Sequence, residues 1–243
     1  MTFAREPRVS PLRYRLVTTG LVGLVLVASH AALPAGPDRA RAQYALVLTL
    51  GYGHLLGAAL GTRRGDRSRL ANAFGLTTIA LLFVLYAAVV AGRPALALPL
   101  LALSAWHTTE NDLAIAHALR SRTRLGRLPR DGRTQGVALA VALAVSAAAI
   151  AASRDEGALG DVFSAATLFH LLGWLVFRMA RGASIARLLA VHALPAALGL
   201  GALALPGAAA ASLREWLFSP AIYLFFATLH VVHTTFTRER ALA

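Results

Sequence analysis

The sequence predicts an all-α integral membrane protein: a helical bundle of about eight transmembrane helices whose two termini both lie in the cytoplasm. Hydrophobic residues make up 57% of the 243 residues and charged residues only 14%, whereas a soluble domain carries about 25% charged residues. A charge inside a bilayer is costly, so membrane proteins contain few of them. Two further observations support this fold class: the length of the apolar stretches and the placement of the arginines between them.

Eight apolar stretches are long enough to cross a bilayer, which takes roughly 20 residues. Short interruptions with Gly, Pro, Arg or Asp separate them, as expected between helices. The first is too long for the core of a cleavable signal, so we expect it to be retained. Because no room remains for a soluble domain, residues 1–243 form one transmembrane domain in this prediction. Spans 1 to 8 are predicted at residues 12–33, 40–61, 70–92, 95–119, 134–153, 160–180, 184–205 and 215–236.

The basic residues indicate the orientation of the spans. All 24 are arginines, and with eight spans and a cytoplasmic N-terminus most of them fall in cytoplasmic segments, as membrane proteins prefer. These segments are residues 5–15, 63–69, 120–133, 178–187 and 238–240. The arginines that fall outside are Arg39, Arg41, Arg93, Arg154 and Arg214. Contact with anionic membrane lipids therefore accounts for the formal charge of +13, and we expect no nucleic-acid partner.

Missing residue types exclude several kinds of chemistry. The chain has no cysteine, which excludes disulfides, thiolate metal sites and iron–sulfur clusters. It also has no lysine, so it cannot form the retinal Schiff base of a rhodopsin-type photoreceptor. The wealth of arginine and alanine is typical of a GC-rich genome, and we expect the cell (inner) membrane of a bacterium or archaeon as the location.

Histidines on several spans share one depth in the bilayer. Counting back from the first cytoplasmic arginine at ~1.5 Å per residue places His54, His170 and His230 roughly 12–14 Å from the cytoplasmic ends of their helices. Polar groups in lipid face inward and find partners, so groups at one depth can converge on one site. Helix–helix hydrogen bonding is the alternative role of each single histidine, and it is the one we assign to His30 and His117. The candidate metal ligands are His54, His107, His170, His230, His192 and His233.

Span 4 contains the densest polar motif, in which two carboxylates and an amide follow His107. Carboxylates inside an apolar span are costly unless they are paired or bound to a metal, so Glu110 and Asp112 are candidate catalytic residues. Glu110 shares a helix face with His107 and would bind the metal or orient a histidine. Asp112 lies on another side and would orient a ligand or cap a buried network. Alternatively the span ends early, which would put residues 110–117 at the interface.

Two short matches indicate an internal repeat. The same four residues, His-Leu-Leu-Gly, begin at His54 in span 2 and at His170 in span 6. His107 in span 4 and His233 in span 8 are each followed by two threonines. A duplication would divide the chain into four-span halves, residues 1–120 and 134–243. Chance matching in a chain rich in alanine and leucine is the alternative.

The segment around His107 resembles the Brp/Blh family of membrane-embedded, β-carotene-cleaving dioxygenases. That family has Ser-Ala-x-His followed by an Asp five residues after the histidine, and here His107 and Asp112 fit. Residues 51–54, Gly-Tyr-Gly-His, are similar to the family's early Gly-x-Pro-His-Gly segment. Residues 229–232, Leu-His-Val-Val, are similar to its late Leu-Pro-His-Val-Val segment.

This resemblance implies a non-haem iron and the O₂-dependent cleavage of a carotenoid to retinal. His54, His107 and His170 would be carried over as ligands. The second histidine of the family's paired His-x-x-x-His segment falls at Trp174, so another residue would have to supply the fourth ligand. The candidates for it are His192, His230 and Glu110.

The chain is also similar to haem A synthase, which has eight helices in two repeated halves and histidines on helices 2, 4, 6 and 8. That resemblance implies that axial haem ligands come from the corresponding spans of this chain. The family's flanking Glu and Arg are replaced by Gly51 and Leu55. The implied haem ligands are His54, His107, His170 and either His230 or His233.

The sequence thus favours an enzyme, a membrane oxidoreductase whose histidine-bound non-haem iron acts with O₂ on a lipophilic small molecule supplied by the bilayer. The first alternative is a bis-histidine haem protein that transfers electrons or modifies haem. The second is a proton-coupled transporter, in which the histidines, Glu110 and Asp112 would form a relay.

Overall fold

The computed structural model describes residues 9–33, 37–61, 98–121, 132–152, 155–204, 206–208, 211–212, 227 and 230–231. These residues form six helices and no strand, which confirms the all-α fold class. The helices are α1 (Pro11–Ala32), α2 (Pro37–Gly61), α3 (Leu98–Ser121), α4 (Gly132–Ala152), α5 (Glu156–Ala180) and α6 (Ile185–Ala204). They correspond to predicted spans 1, 2, 4, 5, 6 and 7. Span 3 and most of span 8 lie outside the described residues, although His230 and Val231 are helical.

Three of the helices are long and apolar enough to cross a membrane, over Pro11–Ala32, Gly132–Ala152 and Gly160–Ala180. α2 and α6 contain shorter apolar segments, Ala45–Leu55 and Ile185–Leu198. Polar residues in the middle of α3 make this helix less apolar than α4 and α5, against which it packs. These helices indicate a membrane protein, whereas the number of eight spans stays a prediction.

The packing of α4 is the reverse of that of a helix in a water-soluble protein. Its buried residues are Ala138, Ala142 and Ala149, whereas Leu143 and Ile150 are exposed. In lipid, small residues let helices approach closely and large apolar side chains can face the hydrocarbon. α1 and α6 also expose large apolar residues, among them Leu12, Leu16, Leu24, Ile185, Leu189 and Leu194.

α5 is the central helix of the described bundle, because it packs against α1, α2, α3 and α4. It comes close to α1 at Gly173, where an added methyl group would lie 2.7 Å from the hydroxyl oxygen of Tyr14. A glycine at such a contact removes the side chain that would keep the helices apart. Around α5, α3 packs on α4 and α6 packs on α2.

Two apolar clusters lie on either side of His170 along α5. Because Leu168 precedes this histidine and Val176 follows it, the level of the histidines lies between two water-excluding layers of the core. The first cluster joins α1, α3 and α5 through Tyr14, Ile115, Ala118, Val176 and Phe177. The second joins α1, α2 and α5 through Val22, Val47, Leu48 and Leu168.

A short turn connects α5 to α6 and brings His192 beside α2. Gly182 in this turn has a φ of 77°, a left-handed conformation that favours glycine at a helix C-terminus. The Ala183 N–H donates to the Arg178 carbonyl oxygen at 3.0 Å, which satisfies a carbonyl of the last turn of α5. The chain then reverses, and α6 packs on α2.

Candidate metal centre

Three histidines from distant parts of the chain face one another. They are His54 in α2, His170 in α5 and His230 in the described part of predicted span 8. The Nε2 atom of His54 lies 3.2 Å from Nε2 of His230 and 3.3 Å from Nε2 of His170. One ring nitrogen of each histidine lies within 4.8 Å of those of the other two. The convergence predicted from helix depth is therefore found for these three residues.

The contacts between these nitrogens suit a shared cation. A neutral imidazole nitrogen holds either a proton or a lone pair, so Nε2 of His54 can form one linear hydrogen bond and not two. Its second contact would then be a weaker, bent hydrogen bond that shares the same proton or lone pair, or it would oppose two lone pairs or two N–H groups. His54 is only 5% exposed, so water does not readily replace the missing partner. A cation that accepts a lone pair from each ring removes this conflict, and neutral imidazole is a common metal ligand.

The spacing of the two ring pairs that include His54 fits a single tetrahedral ion. Two nitrogens bound to a tetrahedral ion at about 2.0–2.1 Å lie roughly 3.3–3.4 Å apart, and the centroids of their rings lie roughly 5 Å apart. The two nitrogen contacts of His54 are 3.2 and 3.3 Å, and its centroid lies 4.9 Å from those of His170 and His230. The centroids of His170 and His230 are 6.5 Å apart, which is wider than this spacing, so these two rings would have to move closer together to bind one tetrahedral ion. A donor set of three imidazoles suits iron, zinc or copper.

His107 is the fourth histidine of this cluster, but its Nε2 faces Asn111. Its ring centroid lies 5.2 Å from that of His170 and 5.5 Å from that of His230. The Nδ2 amide group of Asn111 donates to Nε2 of His107 at 2.9 Å. His107 is buried, yet its nitrogens do not belong to the group of three ligand atoms formed by the other histidines.

His192 packs on the backbone of α2 next to His54. A methyl group added to Gly53 would overlap the His192 ring, since it would lie 2.7 Å from Cγ and 2.8 Å from Nε2. The Nδ1–H of His192 donates to the Leu188 carbonyl oxygen at 2.8 Å. This bond defines the neutral tautomer and leaves the lone pair on Nε2. His192 is therefore a neighbour of the centre, outside the three grouped nitrogens.

Trp174 covers one side of His54. The two rings meet edge to face with their centroids 5.0 Å apart, and the guanidinium of Arg178 lies 5.3 Å from the Trp174 ring centroid. The cation is attracted to the indole face, and the indole shields His54 from water. Trp174 thus packs against a histidine of the group of three.

The two carboxylates of α3 do not join the grouped nitrogens. Asp112 forms a bidentate ion pair with Arg15 of α1, with Nη2–Oδ2 at 2.6 Å and Nε–Oδ1 at 3.3 Å. This pair explains how a carboxylate is tolerated in α3. Glu110 is half-buried. The catalytic roles of both carboxylates stay predictions, and His233 lies outside the described residues.

The two histidines expected to be structural lie away from the cluster. Nε2 of His30 donates to Oδ2 of Asp161 at 2.9 Å, and Oδ1 of Asp161 accepts from the Gln43 amide at 2.7 Å. These bonds connect α1, α2 and α5. His117 is exposed on α3.

Asn111 and Gly53 are residues of the site to which the sequence prediction gave no role. Asn111 follows His107 by four residues and Glu110 follows it by three, and both spacings place a residue on the same helix face. The signal for Asn111 was therefore present but ambiguous. A glycine directly before His54 was the signal for a close approach of another helix.

No protein-family model, curated protein or solved structure matches this chain. The resemblances to the Brp/Blh family and to haem A synthase therefore stay expectations.

Proposed function

We propose that this protein is a membrane-embedded oxidoreductase in which histidine-bound non-haem iron acts with O₂ on a lipophilic substrate. The observation that carries the proposal is the pair of contacts that Nε2 of His54 makes with Nε2 of His170 and of His230, at 3.3 and 3.2 Å. Buried polar groups without compensating partners cost free energy. A bound ion explains why three imidazole nitrogens meet in an apolar core.

The distances favour a bare ion over haem. The two axial nitrogens of a bis-histidine haem lie about 4 Å apart, on opposite faces of a flat macrocycle. Both contacts of His54 are shorter than this, and they share one nitrogen, so they leave no flat slot between the rings. Imidazole suits iron among other metals, and a bound iron ion with open positions supplies the means to activate O₂.

The chain's own residues would bind the ion, exclude water and admit the substrate. His54, His170 and His230 would hold the ion. Trp174 and the apolar clusters on either side of His170 would keep water away from it. The exposed apolar faces of α1, α4 and α6 are suited to lipid, from which a lipophilic substrate would enter sideways. A carotenoid cleaved to retinal is the narrower substrate that the Brp/Blh resemblance supplies.

The proposal includes the whole topology: eight spans with both termini in the cytoplasm, in the cell (inner) membrane of a bacterium or archaeon. The six described helices coincide with six of the predicted spans. The arginine bias further supports this topology, because the loss of one span would mix the arginine-rich segments with the arginine-poor ones.

Metal analysis and visible absorption of the purified protein test the proposed centre. We expect iron in about equimolar amount with the chain and no Soret band. His54→Ala and His170→Ala should each lose most of the iron, because each removes one of three ligands. His117→Ala, which removes an exposed histidine of α3, is the matched control and should keep its iron.

The other outcomes separate the alternatives. A Soret band would favour the haem protein, and a folded protein that binds neither iron nor haem would favour the transporter. Expression together with β-carotene, followed by an assay for retinal, tests the narrower substrate. Iron-loaded protein that yields no retinal would remove carotenoid cleavage from the proposal.

A further inference from the structure

His107 occupies the place of a fourth ligand but does not offer its Nε2 to the centre. Its ring centroid lies 5.2 and 5.5 Å from those of His170 and His230, close to the spacing of roughly 5 Å for rings that share a tetrahedral ion. His107 is only 4% exposed. Its Nε2 is nevertheless engaged by the Asn111 amide at 2.9 Å.

Asn111 is well placed to hold His107 in this orientation. The two residues lie one turn apart on the same face of α3, so their contact does not depend on how the helices pack together. An amide offers both a donor and an acceptor and can therefore bind Nε2 in either neutral tautomer of the imidazole. This hydrogen bond has to break before Nε2 of His107 can turn toward the other three histidines.

We propose that Asn111 sets the number of imidazoles that bind the ion. With the amide in place, His107 stays turned away, and three histidines leave the ion open to further ligands. Without the amide, His107 becomes a fourth ligand and closes the centre. The inference rests on the proposed metal centre and adds a positioning residue to it. It also differs from the Brp/Blh resemblance, which implies that His107 is itself a ligand.

The sign of the effect on metal affinity distinguishes this role from an ordinary supporting one. Removal of an outer partner that supports a metal-bound histidine typically weakens metal binding by about 10–100-fold. If Asn111 instead keeps His107 off the ion, its removal adds a ligand. Metal affinity should then rise, by about tenfold on the same scale.

Cobalt binding to the full chain in detergent, after removal of bound metal, tests the inference. Co²⁺ is the probe because its visible bands change when an imidazole replaces a water among its ligands. Asn111→Leu has a similar shape but cannot bind the imidazole, and we expect it to bind Co²⁺ about tenfold more tightly with bands that differ from those of the wild type. Asn111→Asp still offers an acceptor to Nε2–H and should behave as wild type. If Asn111→Leu does not fold, Asn111→Ala replaces it in the experiment, and we expect the same result.

His107→Phe is the control that separates a held ligand from a packing effect. Alone, it should leave the Co²⁺ affinity unchanged, since His107 is not a ligand in the wild type. Combined with Asn111→Leu, it should abolish the tenfold gain, a coupling that a double-mutant cycle measures.

Two failures are distinguishable. Unchanged or weaker Co²⁺ binding by Asn111→Leu, or weaker binding by His107→Phe alone, overturns the inference and leaves the metal centre in place. Wild-type protein that takes up no Co²⁺ overturns the metal centre and the inference together.

Discussion

At the scale of single residues, local hydrogen bonds distinguish the histidines whose nitrogens face the candidate metal centre from those that lie beside it. His107 has one nitrogen engaged by Asn111, and His192 has one engaged by the Leu188 carbonyl. Both partners lie one turn away on the histidine's own helix. In contrast, the contacts of Nε2 of His54 are with imidazole nitrogens of other helices. Which histidines can share an ion is therefore decided by local contacts within α3 and α6 as well as by depth.

Gly53→Ala should disturb the contact between His192 and α2. The added methyl group is fixed to the backbone and would lie 2.7 Å from Cγ of His192, so either the ring or α6 has to move. We expect a loss of about 1–3 kcal/mol in the free energy of unfolding in detergent, the range for overpacking. In a His192→Ala background most of this loss should disappear.

Gly136→Ala is the matched control for this substitution. No atom of the described residues lies within 4 Å of a methyl group added at Gly136 in α4, and alanine favours the helix over glycine by about 1 kcal/mol. The control should therefore keep or raise stability. An equal loss for Gly53→Ala with and without the His192 side chain would contradict the proposed contact.

The level of the histidines could be predicted from the sequence, but their orientation could not. Depth follows from counting residues along a helix, which is why His54, His170 and His230 were placed together correctly. Orientation depends on side-chain rotamers and neighbours, so the prediction paired His107 with Glu110 and gave no role to Asn111, whose amide contacts the His107 ring. The partner of Asp112 is Arg15, 97 residues away, and no spacing rule connects such positions.

At the scale of helices, apolar length predicted which segments form α1, α4 and α5 but not which face each helix buries. Hydropathy does not distinguish the two faces, because lipid is as apolar as a leucine side chain. The informative signal in α4 is the size of the side chains: Ala138, Ala142 and Ala149 are buried. Their spacing of four and seven residues keeps them on one face of the helix.

Neighbouring residues of α4 provide a test of this inverted packing. Ala142 is 4% exposed and Leu143 is 62% exposed. Ala142→Leu should lower the free energy of unfolding by about 1–3 kcal/mol, because the larger side chain has no space between the helices. Leu143→Ala should lower the free energy of unfolding by less than about 1 kcal/mol, because the Leu143 side chain faces lipid or detergent and not another helix. The opposite ranking, measured in the same detergent, would mean that Leu143 is covered by protein and that α4 does not face lipid there.

At the scale of the whole molecule, the arginines and the helices give two separate accounts of the topology. The arginine bias assigns a side of the membrane to each loop, and the described helices fix the ends of the segments between the loops. If α5 (Glu156–Ala180) crosses the membrane, Asp155 and Ser184 lie on opposite sides of it, since these residues flank the helix at its two ends. Eight spans with a cytoplasmic N-terminus put Asp155 outside and Ser184 in the cytoplasm.

Single cysteines at these two positions test the topology. The chain has no cysteine of its own, and both residues are exposed. A membrane-impermeant maleimide should label Asp155→Cys in cells with an intact inner membrane, and should label Ser184→Cys only after the membrane is opened.

Labelling of both variants in intact cells would mean that α5 does not cross the membrane. The reverse pattern would mean that an even number of spans precedes α5 instead of the predicted five, provided that an N-terminal tag is shown to be cytoplasmic. Span 3 would then be the first to revise, because residues 70–92 lie outside the described helices.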